Sequence, residues 1–208
     1  NVGAYFNELL KRLQDDPKQH VIFPTDAEYA AAQALLAPVR DEWVAKSPRH
    51  KELTAAVDAE MRAVALEAAA LVSDLSALVD RDAQSYAAVS AAYKLPRETA
   101  PQALRRSEAI TAALLGAADV PLETARACVR VCELAVTVAA KGNTNAVSDA
   151  AVAALLAEAA CRGAGYNVRV NVAALDDPAR DAARAADAAA LAHQAAAFAA
   201  QATGMVER

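Results

Sequence analysis

The stretch KGNTNAVSDAAVAALLAEAA, Lys141 to Ala160, sets a run of polar and turn-forming residues directly before a run made almost wholly of alanine and leucine. Alanine is the strongest helix former and contributes little burial per residue, so AVAALLAEAA reads as a helix that packs close against other helices. Gly142 stands where a preceding helix ends and reads as a left-handed C-cap. Asn143, Asn145 and Ser148 carry side chains that accept bonds from the free N–H groups of the next helix. Helix, polar turn, helix is thus the local reading, and capping alone does not require Lys141 or Asp149, which leaves a binding role open.

Working outward, the same grammar recurs. Val2, Phe6, Leu9, Leu10 and Leu13 share one face of a short first helix. Thr25 and Glu28 have capping-box spacing and open a second helix, which Pro38 kinks or divides and Ser47-Pro48 ends. A long helix from about His50 carries Leu53, Val57, Met61, Val64, Leu71, Leu75 and Leu78 at helical spacing, and continues through DRDAQSYAAVSAAY to stop before Pro96. Pro101 and Pro121 each read as helix starts, because a missing N–H costs nothing in a first turn, and Gly142 closes the helix that Pro121 opens. Ser148 begins a helix that runs through CRGAGYNVRVN, and Asp177-Pro178 begins a last one, whose leucine and phenylalanine stripe suits packing or a dimer contact. Only NVRVNV alternates with period two, and its helical surroundings outweigh it. The expectation is an all-α, single-domain bundle of about seven or eight helices over residues 1–208.

Composition narrows the function. With 26 acidic against 21 basic residues, a net charge of −5 and no long basic run, nucleic acid is a poor partner. Cys128, Cys132 and Cys161 sit in apolar helical contexts and read as buried thiols of a reducing compartment; no metal site is expected. His20, His50 and His193 are scattered and read as surface or capping residues. No apolar run reaches the ~18 residues of a membrane helix and no signal peptide is evident, so no membrane is expected and the location reads as cytoplasmic. Trp43 and Tyr29 read as core.

Three ordered blocks carry a resemblance. KGNTNAVSDAAVAALLAEAACRGAGYNVRVN, VDRDAQSYAAVSAAYKLPRET and DVPLETARACVRVCELA are similar to segments of the formiminotransferase-cyclodeaminase family, over roughly residues 57 to 180. That family includes formiminotetrahydrofolate cyclodeaminases and methenyltetrahydrofolate cyclohydrolases. Its members carry a glycine-rich P-x-P-G-G-G-S loop after the first helix. Here FPTDAEYAAA, Phe23 to Ala32, stands in that place, and no glycine occurs between Gly3 and Gly116.

The resemblance implies ring closure or ring opening: nitrogen attacks an activated carbon with loss of ammonia, or water adds to reopen a methenyl ring. Such a step needs a carboxylate to move a proton and a pocket that orients the chain. Asp82 falls on the family's carboxylate and is the first choice as acid/base, with Asp80 in reserve. Residues two apart on a helix point about 200° apart, so one of the pair faces the site. Lys94 and Arg97 are expected to hold an anionic group, and Lys141, Asn143, Asn145, Ser148 and Asp149 to line the substrate site. Arg169 and Asn171 serve equally well as helix–helix hydrogen bonders.

The implied substrate is a tetrahydrofolate derivative, with no tightly bound cofactor, and the implied assembly is a homodimer or larger, compatible with a hetero-partner. Two other readings stay open: a cyclase repurposed for a non-folate amine in specialised metabolism, and a non-catalytic partner subunit.

Overall fold

Prolines stand at the start of three helices in the computed structural model, which describes residues 41–175 and 178–207 and four isolated positions between 31 and 38. Pro48 opens α1 (Pro48–Tyr93), Pro101 lies in the first turn of α2 (Ala100–Lys141), and Pro178 opens α4 (Pro178–Val206), each where an absent N–H costs nothing. A 3-10 turn (Thr144–Ala146) leads into α3 (Val147–Val172). Thr99 caps α2 with a full capping box: Gln102 N donates to Thr99 Oγ1 and Thr99 N donates to Gln102 Oε1, at 3.4 and 3.0 Å. The helix expected over Val2–Leu13 and most of the one from Thr25, with Tyr29, lie outside the described residues; 41–45 are helical and that helix ends before Pro48.

The chain divides into two compact units, Asn1–Ala55 and Ala56–Arg208. In the first, Trp43 stacks on His50 with ring centroids 4.1 Å apart, and His50 Nδ1 lies 3.0 Å from the Trp43 carbonyl. Trp43 is 41% exposed, so the core position expected for it is not observed: one imidazole covers one face of the indole.

In the second unit α2, α3 and α4 pack backbone to backbone. Small residues make this possible. Ala118, Ala125, Cys132, Ala154, Cys161, Val168, Ala195 and Ala202 are fully buried along the seams. The three thiols are free and buried, and desolvation pushes each up to about 11. Cys132 Sγ donates to the Ala154 carbonyl at 3.4 Å and Cys161 Sγ to the Ala125 carbonyl at 3.6 Å, so they act as small core residues with a weak donor. No cluster able to hold a metal occurs among the described residues.

α1 runs antiparallel to α2 and stands further off, its backbone more than 8 Å from the other helices almost throughout. Long side chains bridge the gap. Glu60 pairs with Lys141, Glu67 with Arg130, and Arg81 with Glu123, while Arg106 donates to the Tyr93 carbonyl. Partners rise in number along α1 as they fall along α2, which fixes the register. Between these bridges Leu75 and Val89 pack against the core, and Leu78 and Ala92 are buried.

The all-α class holds, but the helix count does not: the described residues form four bounded α-helices, the end of one before them at 41–45, and one 3-10 turn, instead of seven or eight helices. Pro121 accounts for one of the helices expected and not observed. It lies inside α2, buried, and does not start a helix. An interior proline leaves the carbonyl four residues earlier without its N–H donor. That carbonyl belongs to Ala117, and Asn171 Nδ2 of α3 donates to it at 2.7 Å. A side chain from the neighbouring helix thus restores the missing bond, worth about 1–3 kcal/mol against an orphaned buried carbonyl.

Gly142 is the second correction. It is extended (φ −79°, ψ −164°), not left-handed. Glycine is needed there for another reason: a Cβ would sit 2.5 Å from the Val138 carbonyl oxygen, which already accepts the Gly142 N–H at 2.8 Å.

Candidate functional site

The spacing between α1 and its neighbours leaves two clefts that share Leu75 as a common wall. One, of about 310 Å³, has apolar sides made by Leu75, Leu78, Val79 and Pro121, with Ala160 and Ala164 as part of the wall from α3. Its polar groups come from three helices: Asp82 of α1, Thr124 of α2 and Asn167 of α3. The Arg81–Glu123 bridge, with contacts of 2.5 and 2.9 Å, sets this register, because it pins the residue beside Asp82 to the residue beside Thr124. Hydrogen bonding to Arg81 holds the Glu123 carboxyl below the ordinary carboxylate range, so it stays an anion committed to that bridge.

Thr124 spends its hydroxyl proton on the Val120 carbonyl at 3.1 Å. Among the described residues, neither the Asp82 carboxylate nor the Asn167 amide is bonded to a protein side chain. A free carboxylate and a free amide facing one largely apolar cleft can do two things. The first accepts or returns a proton; the second donates to, or accepts from, a polar edge of a bound molecule and so orients it. Asn167 belongs to the GYNVRVN segment but was not singled out from the sequence. Its signal was spacing: Ala160, Ala164 and Asn167 recur on one face of α3.

The second cleft, about 270 Å³, is apolar and extends along α1 past Leu71, Ala68 and Val64, with Val138 and Ala150 on the opposite side. Ala150 directly follows Asp149, so this cleft leads from the Asp82 cleft toward the KGNTNAVSD turn.

The other expected site residues are distributed along the bundle. Asp80 is exposed on α1 and does not line the acid cleft. Lys94 and Arg97 lie exposed in the turn between α1 and α2, twelve and fifteen residues beyond Asp82, which at about 1.5 Å per helical residue is some 18 Å away. Lys141, Asn143, Asn145, Ser148 and Asp149 lie at the other end. Along α2 the distance from Thr124 to Lys141 is roughly 25 Å by the same rise.

Two of these groups already have structural partners. Lys141 Nζ pairs with Glu60 at 2.6 Å, and Asn143 Oδ1 accepts the Asn145 N–H at 3.0 Å to cap the 3-10 turn. Asp149 stands in the first turn of α3, where a carboxylate complements the helix dipole. Asp82 and the KGNTNAVSD turn therefore occupy opposite ends of a groove rather than a single compact wall. No described helix is long and apolar enough to cross a membrane.

Comparison with known proteins agrees with this architecture. Residues 28–190 match the profile of the formiminotransferase-cyclodeaminase family, a stretch that begins beyond the FPTD segment. A methenyltetrahydrofolate cyclohydrolase of Methylorubrum extorquens is 41% identical over 121 residues, 58% of this chain and 58% of that protein. The formimidoyltransferase-cyclodeaminase of Rattus norvegicus is 31% identical over 154 residues, covering 74% of this chain and 28% of its own length. The matched stretches thus span well under two thirds of these relatives. A solved structure, the formiminotetrahydrofolate cyclodeaminase of Thermotoga maritima, superposes with a TM-score of 0.56 at 22% identity, over 86% of this chain and 82% of that one, which shows a common fold. On the profile match over most of its length, the chain belongs to the formiminotransferase-cyclodeaminase family.

Proposed function

We propose that the chain catalyses ring opening and closing on a one-carbon tetrahydrofolate, with the reacting centre in the Asp82 cleft. The observation that carries the reading is the pair of unbonded polar groups, Asp82 and Asn167, brought from two helices into one cleft with apolar walls. In the hydrolytic direction water adds to the methenyl carbon, one carbon–nitrogen bond breaks to leave a formyl group, and the proton released passes to Asp82 and on to solvent. In the closing direction the same carboxylate returns it, and a formimino carbon would expel ammonia by the same route. Asn167 orients the ring; the apolar walls limit access of bulk water. The apolar cleft beyond Leu75 accepts the uncharged middle of an elongated substrate, and Lys94 and Arg97, or Lys141, Asn145, Ser148 and Asp149 at the far end, hold polar extensions of it. Asp80 serves as a spare proton relay only.

The similarity to a cyclohydrolase favours a folate over a non-folate amine and the hydrolytic over the deaminating reaction. We also assign a homodimer to the protein, in a cytoplasmic setting. Val152, Leu156 and Val170 form an apolar stripe along α3, each at least half exposed, and a second copy is the partner that covers it. Loss of dimer in light scattering on Leu156→Glu is expected; a wild-type monomer rejects the assignment.

The decisive experiment follows the absorbance of 5,10-methenyltetrahydrofolate. Asp82→Asn should lower turnover by about 10²–10⁴ with no change in helicity or melting temperature, whereas Asp80→Asn should stay within about threefold of wild type. Full activity in a folded Asp82→Asn protein removes Asp82 from the mechanism. Release of ammonia from formiminotetrahydrofolate, faster than methenyl hydrolysis, would move the chain to the cyclodeaminase reaction.

A further inference from the structure

A larger groove, about 350 Å³, lies between α3 and α4 and takes no part in the reading above. Arg162, Tyr166 and Arg169 line it from α3, and His193 lines it from α4. At about 100° per helical residue, these α3 positions lie half a turn from Ala160, Ala164 and Asn167, so the two sites occupy opposite faces of one helix. The floor is bare: Gly165 and a row of alanines from Ala185 to Ala196 offer only backbone and methyl groups.

The charge in this groove is unusual for the chain. In a protein of net charge −5, two guanidinium groups and an imidazole converge on one groove with no carboxylate among its described lining residues, and Glu158, one turn before Arg162, pairs with Arg162. The neighbouring α2–α4 seam shows the ordinary arrangement, with Arg184 held by Asp119 and Arg126 facing Asp187. Arg169 has no carboxylate among the described residues. Its guanidinium lies over the Tyr166 ring, 4.8 Å from the centroid, which fixes the fork and leaves its N–H edge available. His193 likewise has no bonded partner among the described residues.

We propose that this groove is a second binding site, for a small organic anion: a carboxylate or phosphate carried on a flat apolar body. Arg169, stacked and unpaired, takes the anionic group through its planar edge, with Arg162 and His193 adding donors on either side. The flat body lies against Tyr166 and the alanine floor, where no long side chain obstructs it. A neutral molecule of the same shape gains the apolar contact and lacks the ion pair.

Calorimetric titration of the full chain with benzoate, phenyl phosphate and benzamide tests this. Benzoate or phenyl phosphate should bind with Kd of about 1 mM or tighter, weakening as salt rises, and benzamide at least about tenfold more weakly. The tighter of the two anions identifies whether carboxylates or phosphate esters are the natural class. Arg169→Gln should reduce anion affinity about tenfold or more, and His193→Gln by less; Arg105→Gln, remote from the groove, serves as a charge control and should bind as wild type. His193→Gln decides the matter if Arg169→Gln melts early.

Asp82→Asn must retain full benzoate affinity, which keeps this site separable from the catalytic one. Absence of heat with both anions at about 10 mM, equal affinity for benzamide, or unchanged binding in both groove variants overturns the proposal.

Discussion

α1 and α3 face each other across the acid cleft and are held in place by opposite means. α3 is joined to α2 and α4 through alanine, cysteine and valine, so that backbones approach along seams of fully buried small residues. α1 is joined to α2 through arginine, lysine and glutamate, whose length keeps the helices apart and leaves clefts on both sides of Leu75. Helices that meet through small residues contribute most of the packing; a helix held at arm's length contributes the acid cleft and little packing. The cleft exists because α1 is not made of the same residues as α3.

The sharpest way to break this contrast is to place one larger side chain on each side of it. Ala154 is fully buried in the α2–α3–α4 trio, and Ala154→Leu forces three additional carbons into a filled seam, for an expected loss of about 3 kcal/mol in urea melts. Ala68 is exposed on α1 and lines the apolar cleft, so Ala68→Leu finds open space and should alter stability by less than about 0.5 kcal/mol. Comparable losses at both positions would mean that α1 is packed as tightly as α3.

A smaller effect probes how the trio accommodates its interior proline. Asn171→Leu removes the donor that satisfies the Ala117 carbonyl and should cost about 2 kcal/mol. Pro121→Ala supplies an N–H to the same carbonyl from within α2. In the Pro121→Ala background, therefore, Asn171→Leu should cost less than half as much, and strictly additive losses would show that the two residues do not share that carbonyl.

This pair also explains which parts of the molecule were legible beforehand. The span of α1 from about His50 to Tyr93, the start of α3 near Ser148 and the start of α4 at Pro178 depend on local chemistry, and local chemistry is visible in a sequence. Pro121 depends on Asn171, fifty residues later and on another helix, and no local rule connects them. The spread of the expected site is non-local too: α2 is one continuous 42-residue helix, and the KGNTNAVSD segment follows its far end while Asp82 lies in a cleft with Thr124. Asp82 draws attention in the sequence because it falls on a carboxylate of a matching block, whereas Asn167 stands out only once Pro121 and Thr124 line the same cleft.

The mildest test acts on the bridges themselves. Glu67 and Glu123 are held below their ordinary value of 4.5 by hydrogen bonds from Arg130 and Arg81. A depressed folded-state value means that these bridges stabilise the α1 seam above the unfolded value, and that the contribution disappears as pH falls through the lower, folded one. Acidification from pH ~6 to ~3 should therefore raise hydrogen exchange in the middle of α1 beyond the intrinsic rate change while α3, held by neutral small residues, keeps its protection. The double variant Arg81→Gln, Arg130→Gln should show weak α1 protection already at neutral pH and little further change on acidification, and added salt should move the wild type in the same direction. If α1 and α3 lose protection together as the pH falls, the bridges are decoration on a single packed unit, and the open seam that accommodates the acid cleft must be held apart by something other than these long-armed pairs.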